Sequence, residues 1–595
     1  MRGAALWMLL AACAGGADDD KTTTVPADGL TSSTTTSTPP TDPDPVDTGR
    51  TSTMEPLGDT SVLALPPPGT VANGRFSTAD TCAECHDHSP SSSAMEDEAG
   101  RPVAPYDLWQ GSMMANSARD PLWRAQVAAE VAATPAAAAA IEAKCLRCHA
   151  PMAAEDAALQ GLPSLGFDDL RADTEGGDLA RDGVSCTLCH QIEPDGLGDE
   201  TSFAGGFATA GAGRIYGPHD QPFSHPMEMH SGFTPVAADH TTSSTLCATC
   251  HTLTTHALDG DGIATGGTVL EQAPFLEWEL SSLSPDTSCQ DCHLPTTSED
   301  GVPIVTSIAH NPGGMDFPPV TPRSPYGRHV LVGGNTLVPA LLRDHRDVLQ
   351  PLASDAALEA TIAAAREQLG HRTATLAIDP PQLVDGVLSF DVRIGVLTGH
   401  KLPTGIPVRR VWLATTIRDA NGAAVFASGG WDDAGRLVDS EGQPYVSESA
   451  GGPLRAHVDR VERVDDVPVY EAVLADADGA PTFTLLRGEG WAKDNRLLPA
   501  GMVLSEAEQV GVGPVGVEGD ADFLGGGDVV HFAVPLDGVA TPLEVTVQAV
   551  YQPLSARWAA ELSATGTPEA AALDVMLATA ERGPEVMATA TASTP

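Results

Sequence analysis

Ten of the eleven Cys residues in this 595-residue chain fall into five Cys-x-x-Cys-His units. They are Cys82-Ala83-Glu84-Cys85-His86, Cys145-Leu146-Arg147-Cys148-His149, Cys186-Thr187-Leu188-Cys189-His190, Cys247-Ala248-Thr249-Cys250-His251 and Cys289-Gln290-Asp291-Cys292-His293. A dithiol or half of a zinc site needs the two Cys but not the His. With only 18 His in the chain, composition does not put one after every pair. The chemistry that needs all three residues is covalent haem attachment. Both thiols form thioethers to vinyl groups of one rigid macrocycle, and the next residue offers its imidazole to the iron. The sequence therefore predicts five c-type haems, with His86, His149, His190, His251 and His293 as proximal ligands.

Residues 82–293 then have to enclose five macrocycles, so this interior is built around porphyrin more than around aliphatic side chains. The motif starts at 82, 145, 186, 247 and 289 alternate long and short intervals, which hints at a duplicated two-haem unit.

Haem attachment of this type takes place outside the cytoplasm, and the amino terminus agrees. Residues 1–12 read as a compact signal sequence, with Arg2 ahead of an apolar stretch too short to span a bilayer. Leu10-Ala11-Ala12-Cys13 resembles the lipobox of bacterial lipoproteins, which makes Cys13 the acylated residue; ordinary cleavage nearby is the alternative. Ala14 after the Cys implies, by the same resemblance, an outer-membrane lipoprotein on the periplasmic or cell-surface side. Residues 13–70 are rich in Thr, Ser and Pro and read as a disordered stalk behind the lipid anchor.

Asp and Glu number 80 against 32 Lys and Arg, a formal charge of -48. Such a chain cannot neutralise many phosphates, which excludes nucleic acid as a partner. A redox protein with a basic docking patch fits instead. Oligomeric state stays open.

Low-spin electron-transfer haems take a second axial ligand, usually His or Met. The candidates are His225 or His230 in Phe-Ser-His-Pro-Met-Glu-Met-His, His240 ahead of the fourth motif, His329, His400, and Met113 or Met114. His88 stands too close to its own proximal His86 to reach the opposite face of that haem. Arg214, Tyr216 and His219 form a polar cluster in a Gly-rich loop.

Residues 82 to about 350 resemble bacterial multihaem cytochromes related to cytochrome c-554. The resemblance is carried by Trp109-Gln110-Gly111-Ser112-Met113-Met114-Ala115, Gly183-Val184-Ser185-Cys186, Glu277-Trp278, Ser288-Cys289-Gln290-Asp291-Cys292-His293 and His329-x-x-x-Gly333-Gly334-Asn335. It implies a His ligand where Met114 stands, a departure that bears on one haem's ligation. Gly399-His400-Lys401-Leu402-Pro403-Thr404-Gly405 and Arg409-Arg410-Val411-Trp412 resemble a carboxy-terminal extension found on some members.

The expected architecture is multidomain. A mainly α-helical, loop-rich pentahaem domain (71–350) leads through a linking helix (351–371) to an antiparallel β-sandwich-like domain (372–560). A helix and a frayed tail (561–595) follow. Leu352, Ala356, Leu358, Ile362, Ala365 and Leu369 have helical spacing. Strand-like runs cover 373–379, 387–397, 411–418, 424–427, 469–474, 529–534 and 543–551, with Asn421-Gly422 as a hairpin turn. The interval 428–528 is rich in Gly and Asp, where calcium could bind, yet no oxygen-ligand spacing there defines a site.

The first functional reading is one-electron transfer along a chain of haems to or from a periplasmic or extracellular partner. The alternative is a reductase or oxidase of a small nitrogen or sulfur compound at one haem with an open sixth position. No Cys-x-x-Cys-Lys is present, which disfavours the nitrite-reductase form of that alternative.

Overall fold

The computed structural model describes residues 59–209 and 213–595. The signal segment 1–12, Cys13 and the stalk before residue 59 lie outside the described residues. No helix among the described residues is long and apolar enough to cross a membrane.

Each Cys-x-x-Cys-His unit lies on a helical turn: Ala79–His86, Ala138–His149, Cys186–Cys189, Ser244–His251 and Cys289–His293, with His190 as the cap of the third. On a helix, positions i, i+3 and i+4 share one face. The same spacing that defines the motif thus points both thiols and the imidazole to one side. Ser243 and Ser288 start the last two of these helices by accepting from Thr245 and Asp291 N–H, respectively. The rest of this half is short helices and loops, with two small sheets the sequence pattern did not announce. Arg214–Gly217 pairs in parallel with Thr234–Ala237, and Leu253–Leu258 forms a hairpin with Ala264–Gln272.

Beyond residue 373 the chain builds two sheets. One runs Arg460–Val461, Gly527–Pro535, Val387–Val396, Ala374–Ile378. The other runs Pro481–Thr482, Val469–Ala475, Arg410–Arg418, Glu544–Gln552, Glu585–Ser593. Along Val387–Val396 every second side chain is buried, the period of a strand with one face inward. Phe390 stacks on Phe532 at 4.6 Å within that sheet, and both join a core with Val411, Leu413, Val545 and Val547 of the second sheet. This is sandwich packing. All seven strand-like runs of the sequence are strands.

The Gly- and Asp-rich connections are tight turns. Asp419 Oδ1 accepts from Asn421 N–H (2.9 Å) and Ala423 N–H (3.0 Å), while Gly422 takes φ +81°, where a side chain would be strained. The same arrangement recurs at Asp97, Asp259, Asp432, Asp439 and Asp476. Three of these turns, at Asp432, Asp439 and Asp476, fall within 428–528, where each carboxylate accepts from its own backbone.

Three boundaries move. Residues 59–70 are not stalk: Ser61–Leu63 is a helical turn, and Leu63 and Leu65 are buried against the body. The apolar Val-Leu-Ala-Leu run outweighs its polar surroundings. The tail does not fray: Glu585–Ser593 pairs with Glu544–Gln552 along its length, because Thr and Ala alternate on a β-compatible period. The helix at 351–371, observed as Asp355–Arg372, is not a free linker. Its Leu358 packs with Leu341 and Leu342 of the motif-bearing half, and its Leu369 enters the sandwich core. The helices Ala556–Ala564 and Pro568–Leu577 also pack back, with Trp558 Nε1 donating to Gln126 Oε1 at 2.9 Å. Among the described residues the two halves form one compact unit.

Candidate functional site

All five motif helices face one cavity of about 1660 Å³. An ordinary small-molecule pocket holds roughly 300–1,000 Å³. All ten motif thiols and all five motif imidazoles line it. None of the ten Cys is in a disulfide.

The thiols reveal which motifs are neighbours. Cys82 touches Cys186, Cys148 touches Cys250, and Cys247 touches Cys289. Cys189 lies beside Cys247 and Cys250. In space the first motif therefore adjoins the third, the third adjoins the fourth, and the second and fifth flank the fourth. These contacts join thiols one from each motif, not four around a point. Among the described residues, groups of three ligating atoms within 4.8 Å occur only in the β-rich half. The donor set therefore suits macrocycles lying along helix faces and not tetrahedral zinc.

Four of the five motif imidazoles are oriented by backbone carbonyls. His86 Nδ1 donates to Ile308 O (2.8 Å), His149 Nδ1 to Ser117 O (3.1 Å), His190 Nδ1 to Tyr216 O (2.6 Å) and His293 Nδ1 to Val332 O (2.8 Å). A carbonyl only accepts, so each bond fixes the tautomer that leaves Nε2 free for a metal. Burial lowers the pKa of all five and keeps them neutral, His149 and His251 at about 4. Trp123 stacks flat on His149 at 4.2 Å and holds that ring in place.

Five more His line the cavity: His219, His230, His310, His329 and His400. Two of them make the same bond, with His329 Nδ1 donating to Gly327 O and His400 Nδ1 to Lys401 O, both at 3.0 Å. The rings of His190 and His329 lie 6.3 Å apart at 29°. Two imidazoles bound to one metal at about 2 Å each have centroids about 6 Å apart. His400 lies near His293.

The other candidates separate. His225 is exposed on helix Ser224–Ser231 and does not line the cavity. His230 on the same helix is also exposed but borders the cavity. His230 Nε2 meets the Glu84 carboxylate, and His240 Nε2 donates to Ile192 O at 2.9 Å, so neither nitrogen is free. Met113 lines the cavity but packs with aliphatic residues, and Met114 packs beside Cys186. His310, which the sequence reading did not single out, is 4% exposed and held by Asn311 O and Asp87. Nothing local marks it, since its neighbours come from a segment far along the chain.

The acidic groups with ligating geometry in the β-rich half are His457, Asp520 and Asp528, and Asp459, Asp522 and His531. In the first, Asn495 Nδ2 donates to His457 Nδ1 (3.0 Å), which leaves Nε2–H to donate to Asp520 (2.8 Å). That imidazole is satisfied as a structural residue. Arg410 and Glu448 form a buried two-pronged pair at 3.0 and 2.8 Å and tie the central strand to a loop.

No protein-family model matches the chain, and no curated protein does. Among solved structures it is similar to a penta-heme cytochrome c552 from Thermochromatium tepidum, with 16% identity and a TM-score of 0.46 over 87% of this chain and 99% of that one.

Proposed function

We propose that this chain binds five c-type haems covalently and passes electrons along them one at a time. The observation that carries this reading is the convergence of five Cys-x-x-Cys-His helices on one cavity with their thiols in contact between motifs. Cys82, Cys85, Cys145, Cys148, Cys186, Cys189, Cys247, Cys250, Cys289 and Cys292 would hold the macrocycles. The five motif His residues would ligate the irons, with His329 opposite His190 and His400 opposite His293. The haems supply the redox chemistry; the chain fixes their spacing, axial ligands and burial. The contacts describe a path from the first motif through the third to the fourth, where it meets both the second and the fifth.

In this reading the protein is an outer-membrane lipoprotein anchored through Cys13, and its acidic surface selects a redox partner with a basic patch. A second reading, reduction or oxidation of a small molecule at one iron, draws support from the lining near Cys145. Glu130 and Glu271 are buried there, and burial pushes both carboxyls up, Glu130 to about 7, so they could deliver protons.

Electron paramagnetic resonance of the oxidised holoprotein tests both. Low-spin signals alone support the electron-transfer chain. One stoichiometric high-spin iron that binds nitrite, hydroxylamine or cyanide supports the enzyme. A protein whose mass is only its polypeptide plus lipid overturns haem binding altogether.

A further inference from the structure

Where the two halves meet, four charged side chains are shut away from solvent. Lys401 Nζ lies 2.7 Å from Asp494 Oδ2, and Arg496 grips both Asp494 oxygens at 2.8 and 2.7 Å. Arg496 Nη1 faces Glu277 Oε1 at 3.3 Å. The side chains of Lys401 and Glu277 are 0% exposed, Asp494 1% and Arg496 7%. Burial alone would raise the Asp494 pKa, but Arg496 and Lys401 outweigh it and hold the carboxylate at about 2.

Glu277 belongs to helix Pro274–Glu279, just ahead of the fifth motif, whereas the other three residues belong to the β-rich half. Its second oxygen accepts from Lys401 N–H (3.0 Å) and from the Thr404 hydroxyl (2.6 Å). The loop carrying His400 is thus bonded to the helix that precedes Cys289. On its other side the loop is pinned to the sandwich, because Leu402 and Leu497 exchange both backbone hydrogen bonds at 2.9 Å. A third contact is steric: a Cβ at Gly399 would come within 3.1 Å of Trp278 and 3.2 Å of Leu283. Glycine at this position lets the loop lie close to Trp278 and Leu283 without displacing either side chain.

Two cations and two anions sum to zero, which limits the cost of burying them. Even so, buried ion pairs are often no more stabilising than well-packed apolar residues, and their best-attested use is to fix registry. Here the registry that is fixed is the position of His400 relative to His293.

We propose that Glu277, Lys401, Asp494 and Arg496 are positioning residues that hold His400 as the sixth ligand of the iron bound by His293. The β-rich half then completes a haem site and does not merely stand beside one. This rests on the haem reading above, so the test separates the two.

The experiment compares His400→Ala, Glu277→Ala and the double variant as full-length holoproteins, reading haem count by mass and iron spin state by paramagnetic resonance. In each single variant the expected result is five haems with one iron converted from low to high spin, returned to low spin by added imidazole. The double variant converts no second iron. If Glu277→Ala leaves every iron low-spin while His400→Ala converts one, or if the double variant converts two, the positioning role is overturned. An unaltered His400→Ala spectrum overturns ligation by His400, and missing haems in the unmutated protein overturn the reading beneath it. Should Glu277→Ala not accumulate, Thr404→Val removes a single bond to Glu277 and keeps the four charges. A high-spin fraction at that same iron supports the proposal, and an unchanged spectrum overturns it.

Discussion

In the β-rich half, Leu388, Phe390, Val392 and Ile394 of one sheet meet Leu413, Val545 and Val547 of the other, all at most 4% exposed. In the motif-bearing half the inward side chains of the five motif helices are Cys and His, arranged around a cavity of about 1660 Å³. Aliphatic clusters there are smaller, as with Leu146, Met152, Leu179 and Leu188. One half is held by contacts its own side chains make with each other. The other surrounds a cavity that its own side chains leave open. In the haem reading proposed above, macrocycles would supply the apolar bulk that a sequence low in aromatics lacks.

The largest expected effect breaks this contrast most directly. Replacing Cys186 and Cys189 by Ala removes one macrocycle from the middle of the path. The mass then falls by one haem, and limited proteolysis cuts within 59–350 while the strands from 374 to 552 stay resistant. Equal loss of resistance in both halves would show that they do not differ in this way.

Phe390→Ala makes the reverse cut. It empties a stacked core position and is expected to cost about 3–5 kcal/mol in thermal or denaturant unfolding. All five haem spectra stay unchanged. A spectral change would mean that the sandwich core and the haem sites are coupled more tightly than through the His400 loop.

Asp419→Ala removes two backbone hydrogen bonds from an exposed turn. The expected outcome is a small drop in the unfolding midpoint, because exposed backbone N–H groups can bond to water instead.

The smallest effect is a pH dependence confined to the sandwich. Its hydrogen bond to Asp391, aided by the Asp459 and Asp522 charges, raises the pKa of His531 above 6.5. A raised folded-state value gives stability that is fully present below 6.5 and is lost as pH rises through the folded value. The stability advantage of the unmutated protein over His531→Ala should shrink on going from pH 6 towards pH 8. An advantage that grows with pH would reverse the sign and remove the ion pair as its cause.

Much of this was legible in the chain itself. That the two Cys and the His of each unit share one side follows from local spacing, since positions i, i+3 and i+4 meet on one helix face whatever the rest of the fold does. The seven strands were legible for the same reason, through a period of two. The Asp-x-x-Gly turns were visible as composition but not as turns, because what settles them is which backbone N–H groups each carboxylate accepts from.

Tertiary structure alone decided which motifs are neighbours and which imidazoles have a free nitrogen. His225, His230 and His240 looked as good as His329 and His400 in sequence. They differ in where their Nε2 atoms are aimed, and that depends on Glu84, Ile192 and a helix face, which only the folded chain brings beside them. The joining of Glu277 to Lys401, Asp494 and Arg496 is of the same kind. Spacing along a chain encodes geometry over a turn or two, whereas imidazoles far apart in sequence meet only through packing, within one half for His190 and His329 and across the two halves for His293 and His400.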